Sequence, residues 1–204
     1  MNAANSLTLI CLLVAMAGLP GLRGATAAVG KTAPDFTLTD TYGIERSLSD
    51  YSGKAVVLEW INHGCPFVKK HYQSGNMQNL QKTYVDQGVV WLSICSSAVG
   101  KQGHMAPGEW NKKTEELGAS PSAVLIDESG EVGRLYGART TPHMFVIGPD
   151  GVLVYNGAID SISTTQQRDI EKAIPYVALA IDAALAGEPV ATPLSKPYGC
   201  SVKY

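Results

Sequence analysis

A chain of 204 residues with 45% hydrophobic residues holds enough apolar material to bury one substantial core. Its 16 basic and 18 acidic side chains leave a net charge of −2 and form no Lys/Arg block. That balance excludes a protein that grips nucleic acid or a membrane surface by charge.

The amino terminus reads as a targeting segment. The apolar run Ser6–Leu19 is short for a bilayer span and suits a secretory signal, and Ala25-Thr26-Ala27 offers a cleavage site. Residues 1–27 are therefore expected to be a signal peptide, and residues 28–204 one exported domain, periplasmic or secreted and free of the membrane after cleavage. No Lys or Arg precedes the run, so an uncleaved anchor is the alternative. Cys11 lies within the run and is given no role. Cys65, Cys95 and Cys200 remain, an odd set for an exported protein, so at least one thiol is free, intermolecular or chemically used.

The stretches "APDFTLTD" and "GIERSL" flank the turn "TYG" and predict an amino-terminal hairpin. "AVVLEWI" (55–61) and "GVVWLSI" (88–94) read as buried central strands. Between them, helices are expected over 66–73 and 76–87, split at "SGN", giving a β-α-β unit with a right-handed crossover. "AVLIDESG" supplies another strand, and "HMFVIGPDGVLVY" a hairpin turning at "GPDG". A long carboxy-terminal helix follows, with Pro175 kinking it or opening a second segment. The tail, 190–204, rich in Pro and Gly around Cys200, is expected to be extended, flexible and surface-lying. The order of elements predicts one α/β domain: a central mixed β-sheet flanked by helices.

The most informative stretch is "NHGCPFVKKH" (62–71), directly after a buried strand. A thiolate attacks where a thiol hardly does, so a useful cysteine needs a lowered pKa. Helix N–H groups without partners favour a negative sulfur at the helix start. Pro66 suits the first helical position, which makes Cys65 the amino-terminal cap, with the positive Lys69 one turn on. The competing reading is a small buried residue in a tight corner.

"VVLEWINHGCPF", "RTTPHMFVIGPDG" and "PYGCSVKY" together resemble the redoxin branch of the thioredoxin superfamily, the alkyl hydroperoxide reductase and thiol-specific antioxidant relatives. The resemblance runs from about Val29 to Tyr204 and implies a thioredoxin-like fold, a peroxiredoxin-like thiol oxidoreductase activity and no bound cofactor. It places a cis proline, Pro142, against Cys65. It also implies a peroxide or protein-disulfide substrate and an external thiol reductant. The chain departs from the thioredoxin C-x-x-C pattern, with Val68 where the second cysteine stands. It departs from peroxiredoxins too, with Asn62 and Leu58 at the places of a Thr/Ser and a Pro.

Further candidates follow from that frame. The amide of Asn62 can orient a peroxide. Glu59 stands where thioredoxins bury a proton-shuttling acid, or else faces solvent. Arg139 is a candidate partner for the thiolate or a peroxide oxygen, or else a surface residue, and His143 is expected to approach the thiol. Cys200 is favoured over Cys95 as the resolving thiol, since closure entropy grows only logarithmically with loop length. The alternative class is copper binding through His63, Cys65, His71 and His143, although Lys69 occupies the place of the second cysteine of a C-x-x-x-C site.

Overall fold

Residues 26–204 are described by a computed structural model. The expected signal segment up to residue 25, Cys11 included, lies outside the described residues. Seven strands form one sheet, in the spatial order β2 (Glu45–Ser47), β1 (Thr37–Asp40), β5 (Ala123–Ile126), β4 (Val90–Cys95), β3 (Val56–Trp60), β7 (His143–Ile147) and β8 (Leu153–Gly157). The amino-terminal hairpin pairs β1 (Thr37–Asp40) with β2 (Glu45–Ser47). Asp40 sets its turn, because its Oδ1 accepts from the Tyr42 and Ile44 amides, each at 2.9 Å.

β3 (Val56–Trp60), β4 (Val90–Cys95) and β5 (Ala123–Ile126) run parallel in the centre. α1 (Pro66–Gln73) and α2 (Asn76–Val85) form the crossover from β3 to β4; α1 has the bounds expected from the sequence, and α2 starts as expected but ends at Val85 rather than Gln87. β7 (His143–Ile147) lies antiparallel to β3 and turns back into β8 (Leu153–Gly157). The β3–β7 register pairs Trp60 with His143, so the residues leaving β3 run beside those entering β7. That register brings Cys65 and Pro142 into one neighbourhood.

Alternation along β3 divides the core. Val56, Leu58 and Trp60 pack on one face with Tyr136 and Phe145. Val57 and Ile61 face the other layer, with Val68, Tyr72, Met77, Trp91, Val177 and Ile181. Each such side chain, fully buried, stabilises the fold by roughly 1.5–3 kcal/mol before conformational entropy is charged against it.

Three parts differ from the sequence-based expectations. α3 (Pro107–Glu116) and α4 (Glu131–Tyr136) fill the connections around β5. α3 starts where Glu109 accepts the Ala106 amide at 2.8 Å, and α4 is a six-residue piece bounded by Gly130 and Gly137. The long terminal helix is a 3-10 segment, Gln167–Lys172, followed by α5 (Tyr176–Ala186), which Pro175 precedes as its cap. Pro175 opens a second segment rather than kinking one helix.

The tail is the third correction. It is stitched to the sheet edge rather than loose on the surface. The Asn156 amide donates to Pro193 O at 3.1 Å, and the Ala158 amide donates to Ser195 Oγ at 2.8 Å. Gly157 makes room, since a β-carbon there would collide with Ser195. Beyond it, β9 (Cys200–Ser201) pairs antiparallel with β6 (Thr140–Thr141). The Ala98 amide donates to Lys203 O at 2.9 Å, and Tyr204 donates to Ala138 O at 2.8 Å. Backbone polar groups need partners, and this tail finds them on the protein instead of in water.

Candidate active site

Cys65 caps the start of α1 with extended backbone angles, φ −77° and ψ 127°, and Pro66 takes the first helical position. Asn62 braces the approach: its Oδ1 accepts the Gly64 amide at 2.8 Å and its Nδ2 donates to Gln102 O at 3.1 Å. Oδ1 and one hydrogen of Nδ2 are thus engaged in holding the loop.

The sulfur of Cys65 is fully buried. Its S–H donates to Thr141 O at 3.0 Å, and the Cys200 amide donates back to Sγ at 3.4 Å. The Thr141–Pro142 bond that follows this carbonyl is cis. Cys200 lies directly across the short ladder from Thr141. Gly199, at φ +141°, allows the close approach, because a β-carbon there would strike the Thr141 carbonyl oxygen. Two cysteines far apart in sequence therefore meet.

The two sulfurs have opposite electrostatics. Burial pushes the Cys65 thiol up, but hydrogen bonds from the Cys200 side chain and from the Val68 and Cys200 amides outweigh it and hold the pKa below the ordinary value. The Thr141 hydroxyl adds to this pull. That hydroxyl is buried and has no partner while the thiol is protonated, so it is free to donate once the sulfur ionises. Burial, and then the neighbouring Cys65 sulfur, push Cys200 up to about 11. The thiolate is therefore favoured at Cys65 over Cys200. Cys95 is buried, with its pKa raised by burial, and donates to Gly103 O at 3.5 Å.

Glu59 is fully buried, which removes the solvent-facing alternative. It accepts from Tyr72 at 2.9 Å, Trp91 Nε1 at 2.8 Å, Ser93 at 3.0 Å and Gln81 at 3.4 Å. Burial nonetheless raises its pKa. None of these four bonds reaches Cys65. Arg139 is exposed, and its amide donates to His143 Nδ1 at 3.2 Å. His143 spends its other nitrogen on Asn156 Oδ1 at 2.8 Å rather than on the thiol.

The four proposed copper ligands do not gather. His63 sits between Tyr72 and Trp110, each with ring centroids 5.0 Å away. His71 bonds Asn76 and Tyr198, and His143 bonds Asn156. Among the described residues no three His, Cys, Asp or Glu side chains are placed to hold a metal ion. Burial pushes all three imidazoles down to about 4.

Sequence reasoning missed the Thr141 hydroxyl, which is invisible until the cis turn aims it. It also missed a buried polar set, Lys70, Asp160 and Tyr198. The only trace of that set in the sequence was a helix carrying charge at 70 on the same side as Phe67.

A capping cysteine lodged against a cis proline, in a sheet of this order, defines a thiol oxidoreductase of the thioredoxin superfamily. More narrowly, the chain belongs to the AhpC/TSA family, whose model matches residues 29–156. It is 34% identical over 120 residues to the thiol-disulfide oxidoreductase ResA of Geobacillus kaustophilus, covering 53% of this chain and 68% of that protein. It is 33% identical over 124 residues to the ResA of Geobacillus thermodenitrificans, covering 61% of this chain and 66% of that one. Among solved structures, an uncharacterized conserved protein from Geobacillus kaustophilus superposes with a TM-score of 0.74 at 32% identity, covering 92% of this chain and 97% of its own. A hypothetical protein from Sinorhizobium meliloti shares the fold, with a TM-score of 0.73 at 24% identity and coverage of 89% and 97%. The family match ends before the tail, so Cys200 lies outside it. No helix among the described residues is long and apolar enough to cross a membrane.

Proposed function

We propose that this protein is an exported thiol-disulfide oxidoreductase whose redox couple is Cys65 and Cys200. The carrying observation is the approach of the Cys200 amide to Cys65 Sγ, at 3.4 Å across 135 residues of chain. In the reductive direction the Cys65 thiolate attacks one sulfur of a substrate disulfide, forming a mixed disulfide and releasing one substrate thiolate. Cys200, deprotonated, then attacks Cys65 Sγ, closing Cys65–Cys200 and releasing the second substrate thiolate. The substrate gains two electrons and, at neutral pH, two protons. An external dithiol restores the enzyme by the reverse exchange. Glu59, buried and with a raised pKa, is the proposed proton reservoir of this layer, and Pro142 shapes the turn that receives the sulfur.

Peroxide is the second reading, supported by the family to which the chain belongs. The loop-holding bonds of Asn62 and the exposure of Arg139 weigh against it, since neither side chain is hydrogen-bonded to Cys65. The test is direct. The protein is oxidised with one equivalent of a disulfide or of hydrogen peroxide, and the products are mapped by non-reducing peptide mass spectrometry. Fast closure of Cys65–Cys200 by the disulfide, and a trapped mixed disulfide in Cys200→Ser, support exchange. Faster reaction with peroxide than with the disulfide supports the peroxidase reading instead.

A further inference from the structure

The helix that begins at Cys65 carries a second set of groups, turned toward the tail. Phe67, Lys70 and His71 stand at i, i+3 and i+4, hence on one face of α1. All three meet Tyr198, two residues before Cys200. The Phe67 and Tyr198 rings lie 5.7 Å apart by centroid, and Lys70 Nζ lies over the Tyr198 ring at 5.6 Å. His71 Nε2 is 3.3 Å from the Tyr198 hydroxyl, its Nδ1 being taken by Asn76 Nδ2 at 2.9 Å. The Tyr198 hydroxyl donates to Asp160 Oδ1. Lys70 Nζ completes the set, donating to Asp160 Oδ2 at 3.3 Å and to Ile162 O at 3.0 Å.

This arrangement is costly. The Lys70 side chain is completely buried and that of Asp160 nearly so. A buried ion pair seldom stabilises a fold more than apolar residues of the same volume would, and its best-attested use is to fix one geometry. Here the geometry fixed is the position of Tyr198 on the helix that carries Cys65. Gly199, the single residue between, bends the chain into Cys200, and the β6–β9 ladder sets its register.

We propose that Tyr198, with the Lys70–Asp160–His71 group that holds its hydroxyl, positions the resolving thiol and so sets how readily Cys65 and Cys200 close into a disulfide. This rests on the exchange reading above. Removing the hydroxyl leaves the ring packed on Phe67 but frees the segment to swing. The effective concentration of one thiol at the other then falls.

The test uses the full chain and the conservative variant Tyr198→Phe, with Asp160→Asn as a second variant. Wild type and variants are equilibrated in dithiothreitol redox buffers, the Cys65–Cys200 equilibrium constant is read by thiol trapping, and folding is checked by circular dichroism. The expected result is a folded Tyr198→Phe protein whose closure constant falls at least tenfold, about 30 mV for a two-electron couple. Iodoacetamide should also reach Cys65 faster in the reduced variant. Asp160→Asn, where it folds, should move both readouts the same way. A folded Tyr198→Phe protein with a closure constant and alkylation rate within twofold of wild type overturns the proposal. A wild-type protein that forms no Cys65–Cys200 bond overturns the exchange reading itself, and the positioning role with it.

Discussion

Around each sulfur the same two forces compete: burial favours the neutral thiol, and donors aimed at the sulfur favour the thiolate. At Cys65 the donors win; at Cys95 burial does. Thr141→Val keeps the shape of the turn and removes one donor from the ionised sulfur. The Cys65 pKa should move up, and alkylation at neutral pH should slow severalfold, read from the pH-rate profile with iodoacetamide. An unchanged profile would remove the hydroxyl from the account. Glu59 allows a second residue-level prediction. Its folded-state pKa is raised by burial, so its contribution to stability is full at low pH and is lost as pH rises through the folded-state value. Wild type should therefore lose stability relative to Glu59→Gln as pH rises, measured by urea unfolding across the range. Glu59→Leu leaves three buried donors, on Tyr72, Trp91 and Ser93, without an acceptor and should cost more than about 3 kcal/mol at any pH.

At the scale of elements, the site is a meeting of a helix start, a cis turn and a two-residue strand. Gly199 decides whether that strand seats. Gly199→Ala demands a left-handed φ and drives a β-carbon into the Thr141 carbonyl, so β9 should lift from β6. The expected outcome is a folded protein in which Cys65 alkylates at least tenfold faster and the disulfide closes poorly, measured by timed thiol trapping. How much of this was legible follows from locality. The apolar run of β3, Pro66 behind Cys65, and the Thr141-Pro142 step are short-range signals, and each lands where the sequence placed it. α4 was not legible because six residues between two glycines carry no helical period. The seating of the tail was not legible either: its Pro and Gly content reads as loose chain, and its anchors, Asp160, Asn156 and Thr141, are distant in sequence. The hydrogen bonds of Asn62 to the Gly64 and Gln102 backbone and of His143 to Asn156 depend on loop contacts that no local sequence pattern encodes.

At the scale of the whole molecule, the tail closes the chain on itself. A Cys65–Cys200 bond closes a loop across 135 positions of the chain, and a loop of that length restricts the unfolded chain strongly, by about 5 kcal/mol in the chain-entropy view. The oxidised protein should unfold at a higher urea concentration than the reduced one by up to that free energy. The gain should vanish in Cys200→Ser and persist in Cys95→Ser. The polar clasp under Tyr198 and the ladder beside Pro142 hold the two ends together before the bond forms, so little native rearrangement is needed. The most direct measurement is a glutathione redox titration of the full chain with peptide mapping at each potential. One two-electron transition is expected, carried by Cys65–Cys200, lost in Cys65→Ser and in Cys200→Ser and unchanged in Cys95→Ser. A transition that survives Cys200→Ser, or one that joins Cys65 to Cys95, would contradict it.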